Sequence, residues 1–306
     1  MPSRRLQSAA RRAPGVTTVT AGEPRVWWGP VWADPTPRTV VDLVAAETLT
    51  REVAGLLWAL VARRASVAVV AGPSGAGKTT LLTALLDLLP PGTRRVYVRG
   101  GYEPFDFLGD PSVVPSESAL LVNELSPHLP IYLWGPPVRR VLRLRRSGFA
   151  LYATAHADDA AGLVRLIAGP PLRVPAVEVA AFDLVVGLAA TIDPRGDVRR
   201  EVAGVWALGQ TAAGGVTVDA LTGGPGGGPL AGGMAVASAM AERLCPDIRT
   251  TPALLEKEVA ARAAMLVALA ARGPMPLAEA RAALAERHRV TPPHTGDPST
   301  GGISEG

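Results

Sequence analysis

One stretch constrains this 306-residue chain more than any other: an apolar run leads into a glycine loop that ends in Gly-Lys-Thr. The apolar run 67–70 predicts a buried strand. A leucine-rich segment after the loop predicts a largely buried helix, with leucines at Leu81, Leu82, Leu85, Leu86, Leu88 and Leu89. Strand, loop and helix in this order bring backbone N–H groups and the positive end of a helix to one point. The stretch therefore predicts an anion-binding loop at the carboxyl end of a strand.

Residues 72–79 fit the P-loop pattern G-x-x-x-x-G-K-[ST]. We expect Lys78 to reach the β- and γ-phosphates of ATP and the Thr79 hydroxyl to ligate Mg²⁺. A chance glycine turn beside a lysine is the alternative, but the flanking strand and helix agree with the motif. The predicted nucleotide-binding residues are Gly72, Pro73, Ser74, Gly75, Ala76, Gly77, Lys78, Thr79 and Thr80.

Composition indicates a globular chain, because 48% of its residues are hydrophobic and its net charge is only +4. The apolar stretch 53–62 is too short to span a membrane, and the stretch 174–192 contains proline and acids. The N-terminus lacks the apolar region of a secretory signal. A single cysteine, Cys245, excludes an internal disulfide. We therefore expect a cytoplasmic protein.

The chain divides by composition into five segments. We predict a tail and lead-in over 1–36, a main domain over 37–222, a Gly/Pro linker over 223–233, a helical region over 234–290 and a disordered tail over 291–306. Three tryptophans in the lead-in are expected to cover an apolar surface: Trp27, Trp28 and Trp32. In the helical region, Thr251 as N-cap and Pro252 after it predict the start of a long helix that docks on the core or on a partner.

Strand-like and helix-like segments alternate through the main domain. Strands are predicted over 67–70, 95–98, 119–124, 149–157, 184–189 and 201–208, and helices over 53–61, 79–89 and 138–146. This alternation predicts an α/β fold with a mostly parallel sheet and helices on both faces. Ligands of such sheets bind at the carboxyl ends of the strands, where Gly72, Glu124 and His156 fall.

Two of these strand ends carry groups suited to phosphate chemistry. Glu124 could hold a Mg²⁺-bound water or orient an attacking one, and the alternative is an exposed strand-end carboxylate. His156 could contact the γ-phosphate, although an isolated histidine is often satisfied by local hydrogen bonds.

An arginine cluster lies on one short segment: Arg139, Arg140, Arg143, Arg145 and Arg146. It is either a solvated helix face or a contact surface for phosphate or acidic groups, and we expect it to meet the nucleotide or an adjacent subunit.

The motifs in this order resemble the type II/type IV secretion and pilus-assembly ATPase family. The P-loop stands for Walker A, Glu103 lies in an Asp-box position, Leu121–Glu124 resembles Walker B, and residues 153–158 (Ala-Thr-Ala-His-Ala-Asp) resemble the His box. The segments 39–43 and 201–208 are similar to those of the tight-adherence pilus branch. The resemblance covers about residues 39–210 of the chain.

The resemblance implies a RecA-like core, ATP hydrolysis coupled to subunit motion, a homohexameric ring and docking on a platform protein at the inner face of the cell membrane. Glu124, His156 and Glu103 would be catalytic, Thr79 and Glu124 would hold Mg²⁺, and nucleic acid is not an expected substrate. The sequence departs from the family pattern at Asn123-Glu124-Leu125-Ser126-Pro127, where the family has Gly-Glu-x-Arg-Asp. Two other functions stay open: a nucleotide or polynucleotide kinase, and a switch protein that binds ATP with little hydrolysis.

Overall fold

The computed structural model describes residues 38–72, 75–192, 194 and 196–290. Within them the strands are β1 Val67–Val70, β2 Arg94–Val98, β3 Ser118–Leu125, β4 Ala150–Ala155, β5 Leu184–Ile192, β6 Val198–Gln210 and β7 Val216–Ala220. The helices are α1 Val40–Ala45, α2 Arg51–Val61, α3 Lys78–Leu85, α4 Pro136–Leu144, α5 Ala160–Ala168, α6 Ala176–Val179, α7 Ala231–Leu244, α8 Pro252–Ala270 and α9 Leu277–Val290. The predictions for 1–36, including the tryptophans, and for 291–306 lie outside the described residues.

The strands form one seven-stranded sheet in the order β2-β3-β4-β1-β5-β6-β7. The first five strands in this order pair in parallel, and β6 and β7 are added antiparallel. The predicted α/β class and mostly parallel sheet are thus confirmed. Strand β7 was not predicted, because its sequence Val-Thr-Val-Asp-Ala is short and follows directly on a glycine turn.

Both faces of the sheet are covered by helices, as the alternation of side chains in β1 shows. Val67 and Val69 belong to a hydrophobic cluster on one face, which also takes in residues of α2, α3 and α8. Ala68 and Val70 belong to a second cluster on the other face, with residues of α4 and α5. Because successive side chains of a strand point to opposite faces, four consecutive apolar residues require a covered sheet on both sides.

The C-terminal helices complete the first of these clusters. Helix α8 begins as predicted, with Thr251 as N-cap accepting a hydrogen bond from the Leu254 amide. It packs against α2 so closely that a Cβ at Gly55 would lie 2.5 Å from the Val259 carbonyl oxygen. Docking on the core is therefore confirmed, and Gly55 is the residue that permits it.

The predicted linker 223–233 contains ordered structure. Its first part is a turn in which Gly223 donates to the Gly228 carbonyl oxygen and Leu230 donates to that of Leu221. Helix α7 begins at Ala231, so its first turn lies inside the predicted linker. A Cβ at Gly233 would stand 2.4 Å from the Leu221 carbonyl oxygen. The glycine at this position is therefore explained by close packing, without any need for a flexible linker. The division of the chain into domains stays a prediction.

No helix of the described ranges is long and apolar enough to cross a membrane.

Candidate functional site

The glycine loop lies between β1 and α3, as predicted. Gly75 and Gly77 have φ angles of +78° and +96°, which L-residues with side chains rarely adopt. Gly77 is the N-cap of α3 and offers no side-chain oxygen to the helix amides. Free amides at the start of a helix of this kind suit the oxygens of a phosphate group. Two predicted binding residues, Pro73 and Ser74, lie outside the described residues.

Lys78 is the first residue of α3 and is 7% exposed. Burial lowers the pKa of its ammonium group, and the nearby charge of Glu124 opposes that effect. Its Nζ lies 3.5 Å from Nδ1 of His156. A buried ammonium group at the head of a helix needs a negative partner, and phosphate oxygens fit that requirement.

Thr79 and Thr80 follow in the first turn of α3, and both are half-buried. The backbone oxygen of Thr79 accepts a hydrogen bond from the Thr83 hydroxyl within the same helix. The helix position of Thr79 next to Lys78 is the one that the motif predicts for a magnesium ligand, and its role stays a prediction.

Glu124 lies near the end of β3 and is 8% exposed. Its Oε1 is 2.9 Å from Nε2 of His156, yet that oxygen has no aligned hydrogen-bond donor among the described residues. The two atoms are close enough for a hydrogen bond, but they are not aligned for one. The contact is therefore a close approach of two polar groups. A buried carboxylate oxygen without a donor is available for a water molecule or a metal ion.

His156 directly follows β4 and links the two sides of the site. Its Nδ1 is 3.1 Å from the carbonyl oxygen of Gly72, and its Nε2 faces Glu124. Strand β4 lies between β1 and β3, so a residue at its carboxyl end necessarily stands between the glycine loop and Glu124. The expectation that Gly72, Glu124 and His156 share one edge of the sheet is met by these distances.

The end of β3 is shaped by a register shift against β4 between Val122 and Leu125. The Thr154 hydroxyl donates to the backbone oxygen of Asn123 at this irregularity. The side-chain nitrogen of Asn123 is buried without a hydrogen-bond partner in the described part of the chain. The shift places Glu124 out of the regular pairing, which frees its side chain for the site.

Glu103, the predicted Asp-box acid, is 9% exposed and caps its own loop. Its Oε2 accepts a hydrogen bond of 2.6 Å from the Arg99 amide, and its Oε1 accepts one of 2.7 Å from the Phe105 amide. The same loop packs on the segment after β3, where a Cβ at Gly100 would lie 2.0 Å from the Ile131 carbonyl oxygen. Both oxygens of Glu103 are thus engaged in holding backbone, and its catalytic role stays a prediction.

Acidic and aromatic groups of the same chain contact four of the five arginines of the cluster. The two guanidinium groups of Arg139 and Arg143 each lie 2.8 Å from a carboxylate oxygen of Glu178, which is 6% exposed. Arg145 contacts the buried Asp183 at 3.0 Å. The sequence could not reveal these pairs, since they join residues 35 to 39 positions apart.

The remaining two arginines of the cluster are Arg140 and Arg146. The Arg140 guanidinium lies 4.0 Å from the centre of the Phe105 ring, and Arg146 is exposed. Three of the five arginines share two carboxylates, so the cluster keeps a net positive charge, and the expected contact with the nucleotide or an adjacent subunit stays a prediction.

Three residues near the site were not predicted from the sequence. Arg200 of β6 lies 3.3 Å from the Gly75 carbonyl oxygen through Nε and Nη2. His128 stacks edge-to-face on His156, with 5.5 Å between ring centres. Tyr132 lies near Glu124, and burial together with that carboxylate raises the pKa of its hydroxyl. Of these three residues, only His128 could have been suspected from the sequence, because it lies just four residues after the candidate site residue Glu124.

Comparisons with known proteins give a partial likeness to secretion ATPases. A crystal structure of the VirB11 ATPase from the Brucella suis type IV secretion system in complex with sulphate shares 21% identity over 49% of this chain and 50% of that one, with a TM-score of 0.32. The X-ray structure of the Legionella pneumophila ATPase DotB shares 14% identity over 57% of this chain and 52% of that one, with a TM-score of 0.35. This chain therefore spans about half the length of each. No protein-family model and no curated protein matches it.

These identities and TM-scores are too low to assign this chain to a family, and its fold is defined by its own strand order and burial.

Proposed function

We propose that this chain binds ATP with Mg²⁺ at the glycine loop and hydrolyses the γ-phosphate bond. The observation that carries the proposal is the row of three polar side chains at one edge of the sheet, in which His156 stands between Lys78 and Glu124. The buried ammonium group of Lys78 and the buried carboxylate of Glu124 are the two kinds of charged group that a P-loop site requires.

The glycine loop and the first turn of α3 would hold the triphosphate. The positive φ angles of Gly75 and Gly77 turn the backbone there, and α3 lacks a side-chain cap. Both features fit a phosphate group, which would accept hydrogen bonds from backbone amides and from Lys78. The predicted binding residues are completed by Gly72, Pro73, Ser74, Ala76, Thr79 and Thr80.

The residues present also fit a magnesium ion. Thr79 supplies a hydroxyl and Glu124 a carboxylate whose Oε1 has no donor in the described residues. Few protein oxygens suffice, because Mg²⁺ keeps several waters and is shared with phosphates. When bound, the ion would neutralise negative charge on the transferred phosphoryl group.

Glu124 would orient the attacking water and accept its proton. A buried carboxylate without a hydrogen-bond donor can accept a hydrogen bond from water at little cost. His156 would hold its orientation through the Gly72 carbonyl oxygen and contact the γ-phosphate from between the two charged groups. Glu103 would act by keeping the loop 99–105 in place beside the segment that follows Glu124.

An ATPase assay on the full chain tests this function. Wild type should release phosphate only with Mg²⁺. Glu124→Gln should still bind an ATP analogue and lose about 100-fold or more in turnover, while Lys78→Ala should lose binding as well. Asp219→Asn alters an exposed carboxylate on the edge strand β7, away from the glycine loop, and is the control. Equal turnover in wild type, Lys78→Ala and Glu124→Gln would rule out the mechanism.

The same assay separates the two other functions. Transfer of the phosphate to a nucleotide or to a nucleic-acid 5′ end, in place of water, would show a kinase. Tight binding of ATP without turnover would show a switch protein.

We further propose that the chain is a motor subunit of a secretion or type IV pilus-like assembly machine. The support is the order of the motifs along the chain from Walker A to the His box. As such a subunit it would form a homo-oligomer, a hexamer, and dock on a platform protein at the inner face of the cytoplasmic membrane. Light scattering on Glu124→Gln with and without an ATP analogue tests the assembly. A particle that stays monomeric in both conditions would contradict it.

A further inference from the structure

A second type of ligand set occurs within this site. Among the described residues, Glu124, His128 and His156 bring one carboxylate oxygen and two imidazole nitrogens within 4.8 Å of one another. Magnesium prefers oxygen ligands, whereas two imidazoles and one carboxylate suit zinc and other first-row transition metals. We propose that these three residues form a binding site for Zn²⁺ or a related transition-metal ion, separate in chemistry from the magnesium site.

The hydrogen bonds of His156 prepare it as a metal ligand. Its Nδ1 lies 3.1 Å from the Gly72 carbonyl oxygen, to which an Nδ1–H can donate. That tautomer leaves a lone pair on Nε2, an atom that lies 2.9 Å from Oε1 of Glu124. Metal-bound histidines usually donate their other ring N–H to a carbonyl or carboxylate oxygen in this way, which fixes the ring and its tautomer.

Glu124 supplies an oxygen that protein groups leave unused. Its Oε1 is buried and has no hydrogen-bond donor among the residues that the structure describes. Zinc bonds to nitrogen and oxygen of about 2.0–2.2 Å put the ligand atoms of a tetrahedral site roughly 3.4 Å apart. The 2.9 Å between Oε1 and His156 Nε2 is within a small adjustment of that separation.

His128 is the exposed member of the set, since its side chain is open to solvent. Its backbone amide donates to the Ser126 hydroxyl at 3.2 Å, which fixes the turn that follows β3. Its ring lies edge-to-face against that of His156 at 65°, and one of its nitrogens lies within 4.8 Å of a ligand atom of each of the other two residues. Three protein ligands with a fourth position for water is a common arrangement for zinc.

Zinc at this site would occupy the oxygen that the proposed hydrolysis needs. On that proposed function, zinc binding inhibits ATP turnover by withdrawing Glu124 from the attacking water. Zinc binding itself needs neither nucleotide nor turnover, so the two proposals can fail separately.

Calorimetric titration of the full chain with ZnCl₂, without nucleotide, tests the site. Wild type should bind one Zn²⁺ per chain, and His128→Gln should bind it at least tenfold more weakly. His288→Gln makes the same change at a histidine that contacts Trp58, away from the three ligands, and should bind like wild type. Visible absorption of bound Co²⁺ reports the coordination independently, and only wild type and His288→Gln should show a tetrahedral spectrum. Equal zinc affinity in wild type and His128→Gln, or no zinc binding by wild type, would overturn the site.

The ATPase assay then tests the inhibition. Zinc should lower the turnover of wild type at constant Mg²⁺ and ATP, and His128→Gln should need at least tenfold more zinc for the same loss. Circular dichroism and thermal unfolding establish that the variant folds. Zinc binding without inhibition would contradict the regulatory part alone. Absence of turnover in zinc-free wild type, with Mg²⁺ and ATP present, would defeat the proposed hydrolysis and leave the titration result standing.

Discussion

The guanidinium group of Arg200 lies 3.3 Å from the carbonyl oxygen of Gly75, so a residue of the antiparallel strand β6 contacts the glycine loop. Its Cδ also lies 3.3 Å from the position that a Cβ would take at Gly77. A flexible cation beside an anion-binding loop adds positive potential where phosphate would bind. Arg200 therefore joins the candidate site from a part of the chain that carries no recognised motif.

We predict that Arg200→Ala weakens the binding of an ATP analogue about fivefold, corresponding to the loss of roughly 1 kcal/mol for an exposed charged contact. Arg199→Ala is the matched control, because the Arg199 side chain lies 3.9 Å from Glu47, away from the loop. Fluorescence titration with a labelled nucleotide measures both. The loss should shrink at high salt, since the contact is open to solvent. Equal affinities for the two variants would remove Arg200 from the site.

Gly100 supports the site through the loop that holds Glu103. It has a φ of +72°, and an added Cβ would lie 2.0 Å from the Ile131 carbonyl oxygen. Gly100→Ala should therefore lower the free energy of unfolding by about 2–4 kcal/mol, from backbone strain together with the clash. Gly92→Ala isolates the strain, because Gly92 has a φ of +85° and no atom within 4 Å of its added Cβ. Urea unfolding should show about 1–2 kcal/mol for Gly92→Ala, and an equal loss for both would contradict the clash.

His288 makes stability depend on pH. Its Nε2 accepts a hydrogen bond of 3.2 Å from the indole Nε1–H of the buried Trp58. Burial and the charge of Arg262 lower the pKa of His288 from 6.5 to about 4, against a backbone hydrogen bond at Leu88 that raises it. Between these two values the unfolded chain binds a proton that the folded chain does not, so the histidine destabilises the fold as the pH falls from about 6.5 to about 4.

The free energy of unfolding should drop by roughly 1–2 kcal/mol over that window through His288, allowing for its partial exposure. In His288→Gln this component should be absent, while His294→Gln should keep it. Denaturant unfolding at half-unit steps from pH 7 to pH 4 provides the comparison. Parallel pH profiles for wild type and His288→Gln would exclude this role.

The local elements were largely predictable, and the reason is visible in particular residues. Val67 to Val70 are apolar on both faces, Thr251 caps α8, and Gly77 and Lys78 stand where the motif requires. Each of these signals acts within a few residues of sequence. Their order alone also placed Gly72, Glu124 and His156 at one edge of a parallel sheet, because the carboxyl ends of parallel strands lie together.

Contacts between residues far apart in the chain decided which charges are paired and which glycines are closely packed, and local signals could not predict either. The sequence shows the arginines of 139–146 but not that the fold pairs three of them with Glu178 and Asp183. The glycines of the predicted linker looked flexible, although Gly233 packs closely on Leu221. Charge and composition are known from sequence, but whether a charge is already paired depends on which distant residue the fold brings to it.

By itself the sequence determined the α/β class, the glycine loop and the edge of the sheet where chemistry can occur, because hydrophobic periodicity and backbone-specific residues act locally. Only the tertiary structure decided that β4 separates β1 from β3, which puts His156 between Lys78 and Glu124. It also decided that Arg200 and His128 reach the same site. Strand order and antiparallel pairing are set by the packing of the whole core, and no short segment of the chain encodes them.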